Sequence, residues 1–201
     1  MIILAFDTAV EGCSVAVVNT TTGQDWSERV ITDRRQAEIL VPMIEEIMTR
    51  AGVTFQTLDR IAVTIGPGSF TGVRIGLSTA RALALASNLP LIGVSTLQVM
   101  ASSAVSSGQN ILAVLDTKRE DFYGEVFDPQ ARSIEPVRIW AGEEVAEAER
   151  DDKVIVLKAG ADAVKIAHCA AGMDVAAHYP EPIYVRDAEV SVSKRIAPVA
   201  I

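Results

Sequence analysis

Gly66-Pro67-Gly68-Ser69-Phe70-Thr71-Gly72-Val73-Arg74-Ile75-Gly76 constrains this chain more than any other stretch. It follows a β-branched run, Ile61-Ala62-Val63-Thr64-Ile65, and opens a long segment of helical apolar periodicity. The order predicts a strand, a tight turn and a helix. Pro67 presets φ at the first central turn position, and Gly68 is expected to take the positive φ of the second. Ser69 or Thr71 is placed to cap the helix, whose unpaired N–H groups and positive dipole end make the turn, with Gly66 and Gly68, a candidate anion or nucleotide contact. A phosphate loop of the Lys-Ser/Thr type does not fit, because that pair is missing after the glycines. A dinucleotide fingerprint fits no better: the spacing is G-x-G-x-x-x-G, and the next strand, Leu91-Ile92-Gly93-Val94, ends without an acidic residue for a ribose. The remaining reading is a glycine turn that lets a helix pack closely on its strand.

The 201 residues suffice for one large lobe or two of about 100 residues each. With 18 Lys and Arg against 26 Asp and Glu, the net charge is −8. Such a chain is not expected to grip nucleic acid alone, since that affinity comes mainly from cations neutralising phosphates; a partner would have to supply the positive surface. No apolar run reaches the roughly 18 residues of a membrane span. Residues 1–6 are too short, and lack the basic flank, for a secretion signal, and Asp7 interrupts them. A cytoplasmic protein is expected, with Cys13 and Cys169 as free thiols.

Along the chain, residues 2–7, 14–19 and 26–31 read as three strands in two successive hairpins. Asp33 with Gln36 offers a capping box for a helix running to about Arg50 and ended by Gly52. Its apolar positions Ile39, Leu40, Met43, Ile44, Ile47 and Met48 share one face, and Pro42 inside it is expected to kink it. The second helix, residues 70–87, repeats small residues at Gly72, Gly76, Ala80 and Ala84, a groove for another backbone. That backbone could belong to the same lobe or to another subunit. A strand at 91–94 and a helix from Ser95 or Thr96 follow. The polar residues 102–109 mark a boundary, giving a first lobe at 1–103 and a smaller second lobe at 104–201. The opening then returns: Leu4-Ala5-Phe6-Asp7-Thr8 is echoed by Leu112-Ala113-Val114-Leu115-Asp116-Thr117, with β-rich runs at 122–127, 137–140 and 154–157 and helical patterns at 143–149 and 162–170. Two units of β-β-β-α-β-α order favour two mixed-sheet lobes over one sheet. The tail, Pro180-Glu181-Pro182-Ile183-Tyr184-Val185-Arg186, reads as an extended segment.

The Leu-Ala-Phe-Asp-Thr opening, the hairpin from Cys13 to Val18, the stretch 66–76, Pro90-Leu91-Ile92-Gly93-Val94 and Pro182-Ile183-Tyr184-Val185-Arg186 resemble the TsaB (YeaZ) family over nearly the whole chain. The resemblance implies an α/β, two-lobed actin-like ATPase fold of ribonuclease H-like units, the second shortened. It further implies a non-catalytic subunit in forming threonylcarbamoyladenosine at position 37 of tRNA. The implied partners are a TsaD-like catalytic subunit, a TsaE-like ATPase and a second copy of the chain, with tRNA reached only through the complex and ATP or ADP, if any, held at an interface within it. TsaD carries two histidines four apart after Pro-Leu-Ile-Gly-Val, spaced to hold a metal. Here Thr96 and Met100 occupy those positions, and a hydroxyl and a thioether do not replace two imidazoles. Relatives often begin the first long helix with His-Ser-Glu, where this chain has Gln36-Ala37-Glu38.

By the resemblance, the partner face is expected on the two long helices, at Ile39, Leu40, Met43, Ile47, Gly72, Gly76, Ala80 and Ala84. Met43 and Met48 suit an adaptable interface and equally an ordinary core. Asp7 and its echo Asp116 each end a strand, where an aspartate either faces metal-bound phosphate, as in actin-like proteins, or caps a turn. The Lys118-Arg119-Glu120-Asp121 cluster is a hairpin tip or a rim contact for a partner or RNA. His168, His178 and Cys169 are read as surface or packing residues, and Cys13 as a small buried hydrophobe. No catalytic or metal-binding residue is assigned. The competing expectations are an ATP-dependent phosphotransferase using residues 66–72 with Asp7, a metallopeptidase-like enzyme, and a packing module without a complex.

Overall fold

The computed structural model of the protein describes residues 1–186 apart from Asp33, Ser106, Ser107 and Ala159. Strands β1 (Ile2–Asp7), β2 (Cys13–Asn19) and β3 (Gln24–Val30) form an antiparallel meander, with Ile2 opposite Asn19 and Cys13 opposite Val30. β4 (Arg60–Thr64) joins β1 in parallel and β5 (Leu91–Val94) joins β4, for a sheet order β3-β2-β1-β4-β5. The strand period of two splits this sheet into two buried faces. Leu4, Phe6, Val15, Val17, Ile61 and Val63 lie under helices α1 (Gln36–Ala51) and α2 (Phe70–Ser87). Ile3, Ala5, Ala16, Val18 and Ala62 face the opposite way.

The second sheet repeats the plan with one strand fewer. β6 (Asn110–Asp116), β7 (Asp121–Phe127) and β8 (Ser133–Ala141) form the meander and β9 (Val154–Leu157) runs parallel to β6, in the order β8-β7-β6-β9. The first unit thus runs β-β-β-α-β-α-β-α and the second, shortened, β-β-β-α-β-α, the ribonuclease H-like order of a two-lobed actin-like fold. Helix α4 (Gly142–Ala148) covers one face of the second sheet through Val145 on Leu112 and Val114. The other two covers are exchanged. Helix α3 (Thr96–Ala101), from the first half, packs Leu97 and Met100 on Ile111, Ala113 and Phe127 of the second sheet. Helix α5 (Ala163–Ala171), from the second half, packs Ile166, Ala167 and Ala170 on the free face of the first sheet.

Several local expectations need correction. Helix α1 begins at Gln36 with Arg35 at its N-cap and no side-chain cap bond; the expected cap, Asp33, lies outside the described residues. Gln36 is thus the first helical residue rather than the third, and its side-chain amide donates to the Thr32 carbonyl at 3.2 Å. Pro42 lies inside α1, as the sequence places it, and Gly52 caps the helix end in the left-handed region. In the turn after β4 the positive φ falls on Gly66, at 97°, not on Gly68, and the Gly66–Pro67 peptide is cis. Among the described residues no helix is long and apolar enough to cross a membrane.

Candidate functional site

A cleft of about 770 Å³ opens between the two sheets. One wall is built by the β1–β2 turn (Ala9, Val10, Glu11) and the start of α2 (Pro67 to Thr71); the other is the end of β6 with the β6–β7 hairpin, including Asp116, Thr117, Lys118 and Arg119, and Lys158. Residues 183–186 complete it. Of the predicted anion contacts, Gly68, Ser69 and Thr71 line this cleft, whereas Gly66 and Asp7 do not. Ser69 is the N-cap of α2: its hydroxyl accepts from the Gly72 N–H at 3.3 Å and its own N–H donates to the Ala9 carbonyl at 2.7 Å. The Ser69 and Gly72 amides, which could have met an anion, are thus committed to protein oxygens.

Asp7 caps a turn. Its carboxylate is buried and accepts from the Thr64 hydroxyl and from the Ala9 and Val10 amides at 3.0 and 3.3 Å. Burial raises its pKa, opposed by those three donors. Every donor named comes from the chain's own backbone and Thr64, which is the turn-capping arrangement. Its echo, Asp116, is exposed in the cleft and accepts from the Lys118 amide at 2.6 Å, which, with the Lys118 ammonium, keeps its pKa below the usual carboxylate value. Two of the cleft's cations are engaged as well: Lys118 pairs with Asp116 and Lys158 with Glu149.

The expected partner face turns inward. Leu40, Met43, Ile47, Ala80 and Ala84 belong to the core over the first sheet, and Ile39 is half-buried against it. Gly72 and Gly76 receive the chain's own backbone: a Cβ on Gly72 would lie 1.9 Å from the Thr8 carbonyl oxygen, and one on Gly76 2.7 Å from the Thr8 hydroxyl. Thr8 then donates that hydroxyl to the Gly72 carbonyl at 2.6 Å. The small-residue stripe is therefore the seat of the β1–β2 turn within one lobe. What the helix pair leaves outside includes Leu85, 85% exposed, and Val41, 44% exposed. Neither residue stood out in the sequence, because single apolar residues on a polar helix face carry no periodic signal.

Thr96 and Met100 are both enclosed. Met100 packs in the apolar layer on the second sheet, and the Thr96 hydroxyl is buried without a hydrogen-bond partner among the described residues. Cys13 donates its thiol to the Gln36 carbonyl at 3.7 Å, and burial, reinforced by the nearby Asp7, pushes it up to about 11, so it is no thiolate near neutral pH. His168 is exposed, Cys169 is half-buried with its thiol 3.4 Å from the Ser102 hydroxyl, and His178 has Nδ1 2.8 Å from the Asp174 carbonyl. Among the described residues no three His, Cys, Asp or Glu side chains converge as metal ligands would.

Sequence reasoning missed the interlocking at the cleft mouth. The Tyr184 ring lies 4.9 Å from that of Phe70, the Arg74 guanidinium sits 3.7 Å above Phe70, and Arg186 pairs with Asp121. An aromatic and an arginine two residues apart after a proline pair were the available signal; their partners are more than 60 residues away.

The family described as TsaD, tRNA N6-adenosine threonylcarbamoyltransferase, matches residues 30–150. The tRNA threonylcarbamoyladenosine biosynthesis protein TsaB of Escherichia coli (strain K12) is 39% identical over 146 residues, covering 72% of this chain and 60% of that protein. TsaB of Buchnera aphidicola subsp. Schizaphis graminum is 30% identical over 156 residues, covering 76% and 70%. The solved structure of YeaZ from Pseudomonas aeruginosa shares 27% identity, superposes with a TM-score of 0.71, and aligns over 91% of this chain and 99% of its own. The likeness extends across both sheets, so the chain belongs to the TsaB (YeaZ) family.

Proposed function

We propose that the chain is a non-catalytic subunit of the cytoplasmic machinery that forms N6-threonylcarbamoyladenosine at position 37 of tRNA, acting by docking on a TsaD-like catalytic subunit. The observation that carries this reading is the fate of the two positions where that relative holds its histidines: Thr96 and Met100 lie in the core, out of reach of substrate. Asp7, committed to its own turn, points the same way. A docked subunit acts by its different affinity for the partner's states. The surface offered is the outward side of α1 and α2, around Val41 and Leu85, where the helices have apolar side chains not used by the core. The same side would serve a second copy of the chain, in competition with the catalytic subunit. A TsaE-like ATPase joins the assembly, tRNA is reached through the complex, and any ATP or ADP is held at an interface.

The test is reconstitution of the modification from purified components with and without this chain. Loss of product on omission, with no ATP turnover by the chain alone in magnesium, supports the reading. Full activity on omission overturns it, and turnover by the isolated chain favours the phosphotransferase alternative. Leu85→Glu should weaken association with the catalytic subunit about tenfold or more, read by titration, while leaving the fold intact.

A further inference from the structure

Residues 178–186 follow the first half of the molecule and then cross the cleft. On the first half they are tied repeatedly. The His178 carbonyl accepts from the Gly93 amide at 3.0 Å, the Pro180 carbonyl from Arg81 at 2.6 Å, and Ile183 N–H donates to the Ile65 carbonyl at 2.8 Å. The Tyr184 ring meets Phe70, and its hydroxyl accepts from Arg74 Nε at 3.3 Å. Two residues on, Arg186 reaches Asp121 at the start of β7 in the second sheet. The Thr117 hydroxyl donates to the same carboxylate and so fixes it on the hairpin that forms the opposite wall.

We propose that residues 183–186 are a clasp across the cleft, anchored on the first sheet's side and latched to the second by Arg186 on Asp121, whose release opens the cleft beside residues 68–71. The asymmetry sets the order of events. Backbone bonds and a stacked ring hold one end, whereas the contact to the second sheet is an Arg186–Asp121 ion pair whose side chains are 26% and 20% exposed. A partly exposed pair of this kind contributes modestly, so it gives way first and the strap stays with the first half. Thr117 and Arg186 keep the Asp121 pKa below its usual value, so the latch carboxylate is charged near neutral pH.

Hydrogen–deuterium exchange on the full chain tests the clasp. Arg186→Ala should speed exchange about two- to fivefold on both walls, at residues 68–71 and 117–122, without changing β1 or β6. Asp121→Asn should do the same, and the swap of Asp121→Arg with Arg186→Asp should restore protection relative to either single change. Tyr184→Ala removes the anchor and should raise exchange at residues 68–71 further. Faster exchange confined to residues 184–186, an equal rise in β1 and β6, or a swap that rescues nothing would each overturn the proposal.

Discussion

The first sheet has five strands, of which β1, β2, β4 and β5 are buried on both faces, with α1 and α2 on one side and α5 on the other, while the edge strand β3 is largely exposed. The second has four, its edge strand β8 is largely exposed, and its two core layers are built from fewer buried side chains. The pair share one plan, yet neither is closed by its own helices. The first sheet borrows α5 from the second half, and the second borrows α3 from the first. A duplicated unit can shrink in this way because the apolar surface left uncovered by a shortened copy is covered by its neighbour, at the cost of independent folding.

The strongest test of that exchange is to cut the chain at the sequence boundary. Residues 1–103 alone would expose Ile3, Ala16, Val18 and Ile92, which α5 covers. We expect this fragment to lack a dispersed amide NMR spectrum, whereas an independent lobe would show one. Within the full chain, Ile166→Ala, at the buried face of α5, should cost about 4 kcal/mol. Val145→Ala on α4 should cost about 2 kcal/mol. Urea midpoints compare the two sheets directly, and equal costs would erase the difference between them.

Helix starts sharpen the comparison. Gly72→Ala forces a Cβ into the Thr8 carbonyl and should destabilise by about 3 kcal/mol. Gly142→Ala, whose Cβ would meet only the Glu120 carbonyl at 3.8 Å, should stay within about 0.5 kcal/mol of the parent. The smallest contrast is electrostatic and has opposite signs at the two equivalent strand ends. The pKa of Asp7 is raised in the folded chain, so its contribution is most favourable at low pH and declines as pH rises towards the folded value. Asp7→Asn should therefore gain on the parent as pH rises from about 3 to about 7. The Asp116 pKa is depressed, so its contribution is present above the unfolded value and lost as pH falls. Asp116→Asn should gain on the parent as pH falls, by less, because that carboxylate is exposed. Denaturant midpoints across pH read both slopes.

How legible the fold was follows from the range over which each feature is encoded. Strands β1, β4 and β5, helix α2 and the cap at Ser69 lie where the periodicity and turn residues place them, since all depend on neighbours within one or two turns. The candidate site was legible only in part. Gly68, Ser69 and Thr71 do line the cleft, whereas Asp7 lies outside it with Thr64 and the Ala9 and Val10 amides donating to its carboxylate, an arrangement that no local pattern predicts.

The linear order of residues by itself determined the repeated β-β-β-α-β-α plan and the chemical content of positions 96 and 100, because propensity, spacing and side-chain identity are local properties. Only the tertiary structure decided which helix closes which sheet, that Thr8 fills the glycine stripe, and that Arg186 meets Asp121. Those are contacts between segments far apart in the chain. They are selected by shape, apolar area and charge at the moment of packing, and no period in one segment records the partner that will cover it.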